Sequence, residues 1–231
     1  IVDGRCEVWT GVQDPLSARK VAAQAAGLDV QQVTLHNLAL GGGFGRRLPG
    51  AFDYVDQAVR IAKAVAPRPV KLTWSREEDI QHDFYRPALV AQYQGGLDAD
   101  GRTVAWSSKF NGTGMFSVPV PPYDIGHLEI RTSDVGSHVR LGSWRSVEFS
   151  HQGFFIESFI DELAHAAGKD PVEFRLAALA HAPRHHAVVQ KAAQLAGWGS
   201  ALPTGHGRGI ALVEAVEEGR VKPGSMLLLP A

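Results

Sequence analysis

The sequence predicts an α+β protein, mixed sheets packed with helices, on three observations. Strand and helix patterns alternate only irregularly, a hairpin pattern occupies the middle, and capped helical patterns fill much of the last third. Hydrophobic residues make up 45% of the 231-residue chain and charged residues 20%, enough for a substantial core.

Taken in order, "CEVWTGVQ" (Cys6 to Gln13) carries β-formers at Val8 and Val12 and reads as a strand. Asp14 has the chemistry of an N-cap, Pro15 suits the first helical position, and Gly27 suits the end of that helix. "QQVTLHNLAL" places Val33, Leu35 and Leu38 as a second strand, which runs into "LGGGFGRR". Val55, Ala58, Val59, Ala62 and Val65 follow helical spacing over 53–66, and Pro67 stops them. "PVKLTWS" is expected to be a short strand, and "SREED" a capped helix start whose carboxylates favour the helix dipole.

"ALVAQYQGGLDADGRTVAWSSKF" reads as a hairpin turning at "DADG". A Gly- and Pro-dense loop follows, then extended segments from His127 into a glycine turn. Residues 149–167 place Phe155, Phe159 and Leu163 on one stripe, with Gly168 beyond the end. Asp170, Pro171 and Glu173 give the next helix its cap, first-turn proline and capping-box acid. Residues 184–196 form a third helix before Gly197, and "GRGIALVEA" restarts as a strand. The expected organisation is a mixed α/β region with Gly-rich loops over 1–148, a helical segment over 149–205, and a tail over 206–231 that begins with a strand.

The net charge of −1 lacks the basic excess of a general nucleic-acid or membrane-surface binder. No apolar run reaches the length of a transmembrane segment. The single cysteine, Cys6, reads as a buried strand residue; it allows no internal disulfide and no Cys-ligated cluster within this chain.

The glycine stretch is the strongest local signal. Bare backbone ahead of a helix can present N–H donors to an anion. A dinucleotide fingerprint needs glycine where Arg46 stands, and the Gly-Lys-Ser/Thr of a P-loop is absent. Spacing alone leaves two readings open: a ligand cradle, or a glycine turn with solvated arginines. Other constellations carry less. Glu162 and His165 in "ELAH" form half of a di-iron motif with no second copy and fit a solvated or partly buried helix face, and His181, His185 and His186 fit an exposed turn broken by Pro183. Ser143 and Ser146 lie in no nucleophile elbow, and "NGT" at Asn111 is a lone sequon.

Five ordered stretches, "EVWTGVQDP", "LGGGFGRR", "PVKLTWSREEDIQHDFYRPA", "GSWRSVEFSHQGFFIESFIDELAHAAGKDPVEFRLA" and "GRGIAL", together resemble the molybdenum-binding subunit of the xanthine dehydrogenase/aldehyde oxidase family. The branch they are most similar to holds the beta subunit of isoquinoline 1-oxidoreductase and membrane-associated aldehyde dehydrogenases, a bacterial branch. The resemblance implies molybdenum held by molybdopterin cytosine dinucleotide. By motif match, Gln13, Gly42, Gly43, Phe44, Gly45, Trp144, Arg145 and Ser146 would line that cofactor. Arg46 is added to this set because a guanidinium suits phosphate.

The resemblance further implies oxidation of an aldehyde or N-heterocycle with water as oxygen source, the cofactor carrying the chemistry and protein supplying orientation and a base. Electrons would pass to [2Fe-2S] clusters on a small iron–sulfur subunit, with cytochrome c as a further candidate partner. A periplasmic or membrane-associated location is expected over a cytoplasmic one. The glutamate base of the family lies in a downstream motif that these residues do not contain, so no catalytic residue is assigned and no protein metal ligand is expected. "VEAVEEGRVKPGSMLLLPA" also departs from the family pattern. These two departures motivate the alternative of a truncated or isolated non-catalytic domain lacking cofactor.

Overall fold

The structure is a computed structural model that describes residues 1–48, 50–112, 120–147 and 149–213, together with the backbone of 216–217, 220–221 and 225–226. Parts of the predicted Gly/Pro loop and of the tail lie outside these residues. The chain forms two compact units. The first comprises Ile1–Pro87 and Ser137–Arg145, the second Ala88–Gly136 and Ser146–Ala231.

In the first unit, β1 (Cys6–Thr10) and β2 (Val33–Asn37) pair in parallel, with Cys6 opposite Val33 and Thr10 opposite Asn37. A parallel pair needs a crossover, and α1 (Pro15–Ala26) supplies it. Asp14 caps α1 by accepting from the Ser17 N–H at 3.0 Å, Pro15 occupies the first turn, and Gly27 ends it in the left-handed conformation. Ala18, Ala22, Ala23, Ala25 and Ala26 are buried. Their small side chains let α1 lie close to its neighbours, among them Cys6, Val33 and, on α2 (Asp53–Ala64), Val55 and Val59. Full burial of a valine is worth about 1.5–3 kcal/mol, so Val55 and Val59 suffice to seat α2. Cys6 is buried as expected, and burial raises its thiol pKa.

Two sequence expectations change here and a third holds. The first strand stops at Thr10 rather than Gln13. Residues 69–75 form no strand: Pro69 cannot donate to a ladder, and Trp74 instead anchors the segment through its Nε1–H to Gln57 Oε1 at 2.9 Å. "SREED" does open a helix, α3 (Arg76–Gln81), capped by Ser75 Oγ accepting from the Glu78 N–H.

In the second unit, β3 (Leu89–Leu97) and β4 (Thr103–Gly112) form the expected antiparallel hairpin, and β5 (His127–Asp134) joins β4 in parallel. The alternation of Trp106, Ser108 and Phe110 buries one face of β4. Trp106 meets α4 (Phe149–Ala166), its ring centroid 4.8 Å from that of Phe159. The centre of the buried stripe on α4 is Ile156, Ile160, Leu163 and Ala164; Phe155 and Phe159 flank it half-buried. Asp170 caps α5 (Pro171–Ala178), and α6 (Pro183–Leu195) follows. The last predicted strand is short, β6 (Leu212–Val213), paired with Ser225–Met226.

A buried polar network ties this unit together. Arg175 donates from Nε to Glu157 Oε2 at 2.9 Å, from Nη1 to Asp161 Oδ1 at 2.6 Å and from Nη2 to the Glu157 carbonyl at 3.0 Å. Tyr123 Oη donates to Glu157 Oε1 at 2.8 Å, and the Leu212 N–H donates to Oε2 at 2.9 Å. Burial pushes the Glu157 carboxyl pKa up, against the pull of Arg175 and the other donors. Burial likewise opposes the charge on Arg175, but Glu157, Tyr123 and Asp161 more than offset it and the guanidinium stays protonated. The "ESFIDELA…FR" stretch is thus a clamp joining α4, α5 and β6.

Candidate functional site

The glycine stretch leaves β2 and forms a hairpin-like turn rather than a helix start. Arg46 N–H donates to the Gly43 carbonyl at 2.9 Å, and the Gln13 N–H to the Arg47 carbonyl at 2.9 Å. The second bond fastens the loop to the chain leaving β1. Phe44 and Gly45 have positive φ, 51° and 78°, and the Phe44 ring is 88% exposed. An aromatic side chain held in solvent on a strained backbone is a feature that packing within the unit does not explain.

The glycines differ in what they do. A side chain at Gly43 would strike the Gln13 carboxamide, and one at Gly45 would fall on the Ser143 carbonyl oxygen. These two are bare so that the loop can lie against its own neighbours. Gly41 is different: a Cβ there would meet nothing within 4 Å, and its φ is not in the left-handed region. Among the described residues, neither packing nor conformation requires glycine at 41.

That open space belongs to a hollow of about 900 Å³ whose lining includes Gly41, Gly42, Gly43, Phe44, Tyr54 and Trp74. Among the described residues, the N–H groups of Gly41, Gly42 and Gly43 donate to no protein acceptor. Tyr54 Oη is buried and likewise has no hydrogen-bond partner among the described residues. The glycine backbone therefore offers unused N–H donors to a ligand of substantial size.

Two adjacent arginines have opposite circumstances. Arg46 is drawn inward, its side chain 8% exposed. Its guanidinium lies 4.9 Å from the Trp74 ring centroid and 4.9 Å from that of Phe84. Asp53, Asp79 and Asp83 approach it at 3.4, 3.8 and 3.5 Å. Its charge is neutralised within the protein, so the phosphate contact expected of Arg46 meets three competing carboxylates. Arg47 stacks on Tyr54 at 4.3 Å and has no carboxylate partner among the described residues. Of the two, Arg47 is the cation available to an anion at the hollow.

The structure brings Gln13 and Gly42 to Gly45 together with the turn that carries Trp144, because Gly45 packs on Ser143. Trp144 is half-exposed beside Arg86, whose guanidinium lies 5.3 Å from the indole centroid and donates to the Arg145 carbonyl at 3.1 Å. Ser146 belongs to the second unit, has φ 67° and accepts from the Phe149 N–H at the start of α4. Sequence reasoning placed the bare backbone of 41–45 against the cofactor but did not single out Arg47, Tyr54 and Trp74 as wall residues. The signals available were "LGGGFGRR", which holds Arg47, and "PVKLTWSREEDIQHDFYRPA", which holds Trp74 but reads only as a strand and a helix start.

Glu157 is the buried carboxyl whose raised pKa would otherwise nominate it as a general base. Both of its oxygens already accept hydrogen bonds, from Tyr123, Arg175 and Leu212, so it serves the fold.

Comparison with known proteins adds to this geometry. Residues 1–179 match the molybdopterin cofactor-binding domain. The chain is 34% identical over 222 residues to the beta chain of isoquinoline 1-oxidoreductase from Brevundimonas diminuta, covering 85% of this chain and 27% of that protein. It is 33% identical over 218 residues to a nicotinate dehydrogenase component of Pseudomonas putida, covering 84% of this chain and 18% of that protein. Among solved structures, quinoline 2-oxidoreductase from Pseudomonas putida 86 shares the fold, with a TM-score of 0.64 at 17% identity over 90% of this chain and 31% of that one. The chain thus spans 27% or less of the length of these curated relatives.

Proposed function

The chain belongs to the family of molybdopterin cofactor-binding domains, and we propose that it is part of a molybdenum hydroxylase large subunit that takes molybdopterin cytosine dinucleotide against its glycine loop. The observation that carries this reading is Gly41: among the described residues nothing requires its bareness, and it faces a hollow with unused donors. The residues fit the group. Backbone at Gly41, Gly42 and Gly43 permits close approach of a flat pterin. Arg47, stacked on Tyr54, supplies the charge for a phosphate. Gln13, Phe44 and Gly45 shape the edge of the site, with Trp144 and Arg145 on a second loop of the same unit.

When bound, the cofactor supplies two-electron oxidation of an electron-poor carbon with oxygen taken from water. This chain's residues bind and orient. Arg47 fixes the phosphate end by a charge-assisted contact. Phe44 offers an exposed ring to the cofactor or to a planar substrate. Arg46, neutralised by its carboxylates, holds the loop in place rather than the ligand.

The substrate class is an N-heterocycle or an aldehyde, and the electrons leave to a small partner carrying [2Fe-2S] clusters. On this reading the parent protein works in the periplasm or at the membrane, where a cytochrome c can act as final acceptor.

The test is metal and nucleotide analysis of the full-length protein purified with its iron–sulfur partner. Stoichiometric molybdenum and release of cytidine monophosphate on acid hydrolysis are expected. A fully assembled complex without molybdenum overturns the proposal.

A further inference from the structure

Asp53, the first residue of α2, faces two arginines from different parts of the first unit. Arg46, on the glycine loop, donates from Nη2 to Asp53 Oδ2 at 3.4 Å and Oδ1 at 3.5 Å. Arg140, on the segment that leads to Trp144, donates from Nη2 to the same Oδ2 at 3.1 Å. Both guanidinium groups also rest on one ring, Phe84, at 4.9 and 4.3 Å from its centroid. Arg46 Nε and Nη1 are buried and make no hydrogen bond, and Asp79 and Asp83 reach the group only as ion contacts. Among the described residues, Asp53 is therefore the acceptor of the Arg46 side-chain hydrogen bonds.

We propose that Asp53 is a positioning residue, whose carboxylate joins Arg46 of the glycine loop to Arg140 of the Trp144 turn and so sets the spacing of the two loops. The inference rests on the cofactor reading for its purpose, because these are the loops that would receive the pterin. Its physical basis is independent of that reading. A buried guanidinium must be neutralised, and a carboxylate shared between two arginines transmits a change at one to the other. Asp53 also accepts from the Tyr54 N–H at 3.1 Å, which fixes its rotamer at the start of α2.

The test is amide hydrogen exchange in the full-length protein. Arg140→Met removes an exposed side chain on the Trp144 segment. It is expected to speed exchange of the Arg46 and Gln13 amides, whose acceptors lie in the glycine loop, by about tenfold. Asp53→Ala, which also takes the acceptor from Arg46, is expected to do so at least as strongly, and the double variant to match Asp53→Ala, because Arg140 acts on the loop only through that carboxylate. Molybdenum retained per folded chain falls severalfold in both single variants. Wild-type protection of the Arg46 amide in Arg140→Met, or additive effects in the double variant, overturns the inference. A metal-free wild type with the coupled exchange pattern overturns the cofactor reading and leaves the link between the loops established.

Discussion

The backbone of Gly45 lies directly on the carbonyl oxygen of Ser143, leaving no room for a methyl group at residue 45. This contact joins the glycine loop to the turn bearing Trp144. It also divides the loop's glycines into those the fold needs and one, Gly41, that it does not.

Gly45→Ala and Gly41→Ala should therefore separate folding from ligand binding. At position 45 an alanine meets both a positive φ and a clash, with an expected cost of roughly 2–4 kcal/mol. At position 41 the change should leave unfolding within about 0.5 kcal/mol of wild type, while lowering cofactor content of the full-length protein. Urea titration and molybdenum analysis of both variants give the comparison. Normal molybdenum in Gly41→Ala would remove the main support for the cofactor site.

Arg47→Met should weaken cofactor retention without unfolding the loop, since Arg47 has no carboxylate partner among the described residues. Loss of one charge-assisted contact is worth about 1.5–3 kcal/mol, or a ten- to hundredfold faster loss of nucleotide on dialysis. Arg46→Met should instead lower thermal stability, because it leaves Asp53, Asp79 and Asp83 facing one another.

Arg175→Met should destabilise the second unit by about 3–5 kcal/mol. Arg175 is fully buried, and its loss strands the 4%-exposed Glu157 carboxylate without its cation. Equilibrium unfolding followed by tryptophan fluorescence reads the effect, and a loss below about 1 kcal/mol would show that the pair behaves as a surface salt bridge.

The Asp170 cap should make stability depend on acid. Burial is the largest single influence and raises the carboxyl pKa, but the Trp198 indole N–H and the Glu173 and Val172 amides together outweigh it and hold the value below the usual carboxylate range. Such a group stabilises the fold above its unfolded pKa, and the gain is lost as pH falls through the folded value. Asp170→Ala should cost about 1–2 kcal/mol at neutral pH. The gap from wild type should close on acidification below about pH 4. An unchanged gap in melting temperature at low pH would contradict this.

Much of the secondary structure was legible because its determinants are local. Asp14-Pro15 and Asp170-Pro171 cap their helices with atoms a few residues away, and the hairpin turns where "DADG" stands. The strand expected over 69–75 failed because a run of β-formers also needs a neighbouring strand to pair with, and pairing is not a local property. The buried stripe of α4 shifted because the sheet beneath the helix chose which side to cover.

By itself the sequence determined the helices, the hairpin and a glycine loop whose neighbourhood resembled a molybdopterin site. Tertiary structure alone decided that Arg46 turns inward to Asp53, that Arg47 stays available, and that Gly41 faces open space. The reason is distance along the chain: a cap is satisfied within one turn, whereas a guanidinium finds its carboxylates only after α2, α3 and the segment at 140 have packed around it.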